Sequence, residues 1–360
     1  MSALTTEQSQ TVLHLCMKLS ALKISGEFKQ VEAGPIVSTY YFTLGADIPI
    51  AKIMKSEEDL ALAVGAPSVL ITRLGAQIAI AIPNKTKETV SYDKCLHALM
   101  QSSGQGLPIM LGVDTKGTPN TIDLRESPHI LAAGSTGSGK SVLLAAIISG
   151  LATKLSSREM KLMLVDTKQL DLPLFASLPH TVEVADDIEK IYVLFERLMQ
   201  IVRQRTEKMK GVARNITEYN RITGAALPYY VVVIDEYADI VGADSSIALK
   251  LQKLVQICRA AGIHVILATQ RPSVKIITGD IKANFGTRIA LKLPTGYDSK
   301  TIIDEYGAEQ LLGKGDMLCK LSSDEQVTRY HGPMLSMDHI SNVLANCDAI
   351  RDSYKHLKLN

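Results

Sequence analysis

HILAAGSTGSGKSVLLAAIISGLA, residues 129–152, decides the reading of this chain. Its centre, GSTGSGKS (134–141), matches G-x-x-x-x-G-K-[ST] in full. An apolar, strand-like run precedes it and an apolar, helix-like run follows. In that context backbone N–H groups and a helix N-terminus converge on phosphate. Gly134, Gly137 and Gly139 permit the tight turn. Lys140 is expected to bridge the β- and γ-phosphates and Ser141 to supply a Mg²⁺ ligand. Ser135, Thr136, Ser138 and Val142 complete the expected nucleotide-binding stretch. A glycine-rich turn with a chance lysine is the competing reading, and the ordered context argues against it.

The next signal is YVVVIDE (230–236). Four aliphatic residues, Val231 to Ile234, predict a strand buried on both faces. It ends in Asp235 and Glu236. After a phosphate loop, an aspartate here supports Mg²⁺ and a following glutamate can deprotonate the attacking water. Alone, the pair reads equally well as an acidic helix cap. HVILATQRP (264–272) is a second buried strand, ending in Gln270, a candidate γ-phosphate sensor or a plain strand terminus. Arg259, Arg271 and Arg288 lie near predicted element ends, and any could reach a neighbouring subunit's site or simply face solvent. Arg288, on TRIAL, is the preferred candidate.

Working outward, strands are predicted at 129–133, 161–166, 230–235, 263–269 and 287–293. Helices are predicted at 140–154, 187–208 and 246–260. Such alternation implies an α/β fold with a mostly parallel sheet flanked by helices. Upstream, 5–23 reads as a helix with Thr5 or Thr6 as N-cap. Residues 36–44, 68–72 and 77–82 read as strands, and 56–65 as a helix capped by Ser56 and closed by Gly65. Residues 101–128, rich in Gly, Pro and Ser, read as a connector. The expected division is a small α+β domain over 1–105, a motor domain over 106–335 and a helical tail over 336–360.

Lys plus Arg number 39 against 37 Asp plus Glu, a formal charge of +2. A polyanion partner must therefore be met by focused charge in loops or by several copies. Trp is absent, which argues against a single-strand stacking platform. Cys16, Cys95, Cys258, Cys319 and Cys347 form no CxxC pair, so they read as reduced structural cysteines and not as a zinc site. No apolar run reaches the roughly 20 residues that cross a bilayer, and MSALTTEQSQ lacks a signal-peptide pattern. A cytoplasmic protein without membrane insertion is expected.

ESPHILAAGSTGSGKSVLL (126–144), YYVVVIDEYADIV (229–241), HVILATQRPSVKIITGDIKANFGTRIALKL (264–293) and GAEQLLGKGDML (307–318) together resemble the motor of FtsK/SpoIIIE DNA translocases. GPIVSTYYFTLG (34–45), EDLALAVGA (58–66) and IAIPN (80–84) resemble that family's preceding α domain. The resemblance implies a RecA-like ATPase that uses ATP and Mg²⁺. It implies a hexameric ring that threads double-stranded DNA, with an arginine supplied in trans. It also implies DNA-gripping loops, matched here near 208–220 and 272–284. Those segments carry Lys208, Lys210, Arg214, Lys275 and Lys282. Each of these basic residues reads equally as a solvated loop charge.

Two departures matter. The chain ends at Asn360, soon after HGPM (331–334), so neither a winged-helix domain nor a membrane region is expected. In VDTKQLDL (165–172), Thr167 stands where the family usually has proline, which leaves the roles of Asp166 and Lys168 open. The expected function is ATP-driven movement of double-stranded DNA, largely independent of base sequence, with any recruiting adaptor unnamed. Alternatives are a viral or conjugative DNA pump, a protein-secretion ATPase, and a non-motor module with a degenerate site. The intact Lys140, Ser141, Asp235 and Glu236 argue against the last.

Overall fold

The computed structural model describes residues 4–45, 48–102, 106–324 and 326–357. Among these described residues, two sheets organise the fold.

The first sheet is built by α1 (Thr6–Ala21), β1 (Gly26–Ala33), β2 (Val37–Leu44), α2 (Ile50–Met54), α3 (Glu57–Val64), β3 (Leu70–Leu74) and β4 (Gln77–Pro83). Thr5 caps α1 through a capping box with Gln8. Gly65 ends α3 in the left-handed region, as expected. The Ser56 cap does not form: its hydroxyl donates to the Lys52 carbonyl instead. The four strands are antiparallel in the order β1-β2-β4-β3. Tyr40, Phe42, Ile71, Ile78 and Ile80 point into a core beneath the helices. Val37, Leu70 and Ala81, on the opposite face, pack into the core of the larger body. Both faces are therefore covered, and Ile78–Ile82 is buried at every position.

The larger body contains α4 (Tyr92–Gln101), β5 (Pro108–Asp114), β6 (Pro119–Asp123), β7 (His129–Ala133), α5 (Lys140–Lys154), β8 (Met160–Val165), β9 (Thr181–Ala185), α6 (Ile188–Met209), α7 (Ile216–Thr223) and β10 (Tyr229–Ile234). It continues with α8 (Tyr237–Ala243), α9 (Ser246–Ile257), β11 (Ile263–Thr269), α10 (Gly279–Asn284), β12 (Thr287–Leu291), α11 (Gly296–Ile303), β13 (Asp316–Lys320), β14 (Val327–His331) and α12 (Met337–Leu357). Its ten-stranded sheet runs β6-β5-β14-β13-β12-β7-β11-β10-β8-β9. The stretch from β12 to β9 is parallel throughout. The stretch from β12 to β6 is antiparallel.

Side chains of the parallel strands alternate between two cores. Ile130, Leu164, Val231 and Ile266 face α5. Leu131, Val165, Val232 and Leu267 face α6 and α9. This two-sided burial explains the continuous aliphatic runs.

The expected connector 101–128 is different in kind. Beyond residues 103–105, which lie outside the described set together with the expected boundary at 105, it forms β5 and β6 of the large sheet. Gly112 sits at φ 113°, where a Cβ would come within 2.1 Å of the His331 carbonyl oxygen. Glycine there marks a close strand approach rather than a loose linker. Helix α4 buries Cys95, Leu96 and Leu99 in the large core, so by packing it belongs with the second sheet. The tail does form a helix: Arg351 of α12 donates to the Ala152 and Thr153 carbonyls at the end of α5. Among the described residues no helix is long and apolar enough to cross a membrane.

Candidate active site

The phosphate loop leaves β7 in the middle of the sheet and enters α5. Neighbouring strands hold its start: Gly134 N–H donates to the Thr269 carbonyl at 3.1 Å, and Ser135 N–H to the Lys292 carbonyl at 2.9 Å. Gly137 and Gly139 adopt φ 78° and 100°, the left-handed region that glycine enters freely. A second loop closes over the first. Gly313, Lys314 and Gly315 all have positive φ. Lys314 N–H reaches the Gly137 carbonyl at 3.3 Å, and Gly315 N–H the Ser138 carbonyl at 2.7 Å. A Cβ on Gly139 would come within 2.4 Å of Gly315 N.

Lys140 is 3% exposed and pairs with Asp235 Oδ1. Burial pushes the Asp235 carboxyl up, and Lys140 opposes that push. Glu236 is 2% exposed and sits at φ 52°, an uncommon and costly conformation for a side-chain-bearing residue. Its carboxylate does not cap α8. It accepts from Thr269 Oγ1 at 3.0 Å and from Gln270 N–H at 3.0 and 3.1 Å. Gln270 Oε1 in turn accepts from Thr136 Oγ1 of the phosphate loop at 3.1 Å. Gln270 thus touches both the loop and the acidic pair.

Asp166 and Lys168 gain definite places. The Asp166 carboxylate accepts from the backbone N–H groups of Lys168, Gln169, Leu170, Asp171 and Leu172, which folds the turn after β8. That turn aims Lys168 Nζ at Asp239, 3.2 Å away, and at Glu236 Oε2, 3.6 Å away.

The geometry does not suit Arg288 to a role in trans. Its guanidinium pairs with Asp304 at 2.8 Å and donates to the Ile302 carbonyl at 3.0 Å. Asp304 also holds Lys282 at 2.9 Å and Lys320 at 3.3 Å. Lys282 is therefore occupied as well. Arg259 and Arg271 are exposed. Arg259 precedes β11, at the end of the sheet opposite the phosphate loop. Lys210, Arg214 and Lys275 are exposed, but on two different edges. Segment 272–284 follows β11 on the phosphate-loop edge. Segment 208–220 packs near the starts of β10 and β11, where Ile216 N–H donates to the Ala260 carbonyl at 2.9 Å. The structure does not bring the two segments together.

A cavity of about 860 Å³ lies over the phosphate loop, lined by Ser135–Gly137, Gly139–Leu143, Gln270, the 312–316 loop, 331–334 and 87–90. Its size is ordinary for a small-molecule site. In the loop beneath it Ser138 Oγ is buried without a partner among the described residues, and a Cβ on Gly137 would meet only open space. A triphosphate held by the loop N–H groups and Lys140, with Mg²⁺ on Ser141 and Asp235, fits this donor set.

Sequence profiles decide the family. Residues 2–84 match the FtsK alpha domain, and residues 93–226 match the FtsK/SpoIIIE family. The chain belongs to the FtsK/SpoIIIE family. DNA translocase FtsK of Campylobacter jejuni is 34% identical over 353 residues, covering 94% of this chain and 37% of that protein. The Staphylococcus aureus DNA translocase FtsK is 37% identical over 337 residues, covering 89% of this chain and 43% of that protein. The chain thus spans about two-fifths of these FtsK relatives. Among solved structures, the pCW3 conjugation coupling protein TcpA gives a TM-score of 0.65 at 24% identity, covering 93% of this chain and 99% of that one. The type VII secretion ATPase EccC of Thermomonospora curvata gives 0.63 at 22%, covering 72% and 34%. These two likenesses show the fold alone.

Within this FtsK/SpoIIIE chain, sequence reasoning missed Thr269, the 313–315 clamp and the buried Asp316–Arg329–His331 cluster. GKGD (313–316) carried a signal, since two glycines around a lysine announce an unusual turn. Nothing local marked Thr269 as a partner for Glu236.

Proposed function

We propose that this chain is an ATP-hydrolysing motor that moves double-stranded DNA, working in the cytoplasm as a ring of six. One observation carries the reading. Thr269 and Gln270 hold the Glu236 carboxylate, Gln270 also holds the phosphate loop, and the chain then runs directly into segment 272–284, which carries the exposed Lys275. A single strand end joins the hydrolytic site to a segment suited to DNA.

In this reading Lys140 and the loop N–H groups hold the β- and γ-phosphates, and Ser141 and Asp235 hold Mg²⁺. Bound there, Mg²⁺ supplies neutralisation of phosphate charge. Lys140 leaves Asp235 for the phosphates, which present more negative charge. Glu236 turns from Thr269 to take the proton of the attacking water. Gln270 reports the γ-phosphate to 272–284. The small body rests on the larger one where Ser68 Oγ donates to the Gln310 carbonyl at 2.8 Å. Changes at the 312–316 loop thereby reach the small body, which shifts against the motor.

A closed ring needs two different faces on each subunit. Arg259, exposed at the sheet end opposite the phosphate loop, suits the face presented to a neighbour, and Arg288 does not. Lys275 is the foremost DNA contact, with Lys210 and Arg214 on the other edge. Contacts of this kind go to phosphates, so binding is largely independent of base sequence and weakens with salt.

The test is steady-state ATPase activity with long duplex, single strands and no DNA, with Lys140→Ala as control. Stimulation by duplex above single strands, lost in the variant, is expected. Activity indifferent to every DNA would overturn the reading and favour a polypeptide-exporting motor.

A further inference from the structure

We infer that His331 reads the nucleoside: its Nε2 accepts a hydrogen bond from a donor on the bound nucleotide, either the adenine amino group or a ribose hydroxyl. This rests on the triphosphate occupying the cavity over the phosphate loop, as proposed above.

His331 ends β14 directly opposite Asp316 on β13. Asp316 is buried and heavily committed. Oδ1 accepts from Arg329 Nε at 2.9 Å, and Oδ2 accepts from Arg329 Nη2 at 2.6 Å and from Leu312 N–H at 2.8 Å. His331 Nδ1 lies 3.2 Å from Oδ1, off the direct hydrogen-bond line. Negative charge at that nitrogen favours the tautomer protonated on Nδ1. Nε2 is then left with a bare lone pair.

That lone pair is in an unusual place. His331 is 1% exposed, and Nε2 has no partner among the described residues. His331 is one of the residues that line the cavity, beside Gly332 and Pro333. Backbone donors close by are already used: Gly332 N–H goes to the Gly315 carbonyl at 2.8 Å and Met334 N–H to the Val90 carbonyl at 2.9 Å. Gly315 itself bonds the phosphate loop. An acceptor buried without a partner is costly, and here it belongs to a residue that lines the space beside a phosphate cradle. Adenine presents a donor at its 6-position, whereas a 6-oxo purine presents an acceptor and would repel Nε2.

The experiment is calorimetric titration of the full chain carrying Glu236→Gln, to suppress hydrolysis. The ligands are ATP, inosine triphosphate, 2′-deoxy-ATP and 3′-deoxy-ATP. The parent should bind one analogue about tenfold more weakly than ATP, as expected for one lost hydrogen bond. Which analogue it is separates the amino group from the hydroxyls. His331→Asn keeps a group near Asp316 but does not reach the cavity. It should lower ATP affinity to that analogue's level and leave the analogue unchanged. His331→Gln, whose amide oxygen can stand where Nε2 stood, should restore most of the discrimination. Unchanged discrimination in His331→Asn, equal weakening for all four ligands, or no discrimination in the parent would each overturn the inference. Lys140→Ala is added to the series to separate the two readings. If it leaves ATP affinity unchanged, the placement of the triphosphate has failed, and the role of His331 fails with it.

Discussion

The parallel and antiparallel halves of the large sheet border one cavity but handle charge in opposite ways. In the parallel half, Lys140 opens α5 and Asp235 and Glu236 follow the end of β10, all three buried. Asp235 has its carboxyl pushed up by burial, and Glu236 sits on a left-handed backbone. In the antiparallel half, both oxygens of Asp316 accept from Arg329, and Oδ2 also accepts from Leu312 N–H. Burial alone would raise its carboxyl, yet the Arg329 guanidinium and His331 hold it well below the usual range. Asp304 likewise gathers Lys282, Arg288 and Lys320. The first half carries pairings that a substrate can exchange. The second carries pairings that keep the wall in shape.

That contrast is open to direct attack. The largest effect is expected for Lys140→Ala, which should lower ATP hydrolysis by about 10²–10³-fold through lost electrostatic stabilisation. It should destabilise the fold less than a lesion in the antiparallel half, because Asp235 is already inclined to take up a proton. ATPase assays and denaturant melts of the same preparation check both parts. Asp316→Asn should cost about 3–5 kcal/mol in urea unfolding, since it leaves Arg329 buried without a counter-charge. The pH dependence has a definite sign. A carboxyl lowered in the folded state stabilises above its unfolded pKa of about 4 and loses that stabilisation as pH falls below it. The melting temperature of the parent should drop there, and Asp316→Asn should flatten the drop.

Arg288→Ala should cost about 1–2 kcal/mol, for a half-buried ion pair and a hydrogen bond to a carbonyl. ATPase activity per folded molecule should survive. Arg259→Ala should reverse the pattern, with stability within about 0.5 kcal/mol of the parent and hydrolysis lost in the assembled ring. Equal effects from both would erase the distinction between a structural and an interfacial arginine. The smallest effect is expected for Lys275→Ala. Duplex binding should weaken about uniformly across sequences, and the salt slope should fall by about 1 per protein–DNA unit. Fluorescence anisotropy at several salt concentrations measures it.

The same division governs what was legible in the sequence. Residues 129–152 disclosed a strand, a loop and a helix, and α5 spans Lys140–Lys154 as the pattern predicts. Val231–Ile234 and Val265–Thr269 were equally plain, because two-sided burial writes an uninterrupted aliphatic run. The antiparallel half writes no such run. β5 and β6 carry Gly, Pro, Asp and Asn, and β14, the other partner of β5, lies far away in sequence. Arg288 and Lys282 looked available because Asp304, which holds both, belongs to a left-handed turn after α11. Thr269 gave no sign of binding Glu236, since that contact exists only once β10 and β11 lie side by side. The 208–220 and 272–284 segments read alike as basic loops, and only the strand directions send them to opposite edges.

In the proposed function, hydrolysis at Lys140, Asp235 and Glu236 drives movement along a duplex. This is tested most directly by displacement of a triplex-forming strand from the far end of a long duplex, followed in real time. ATP-dependent displacement is expected, with a lag that grows with duplex length, abolished by Glu236→Gln. Hydrolysis of ATP on the same duplex without any displacement, at every length, would contradict it.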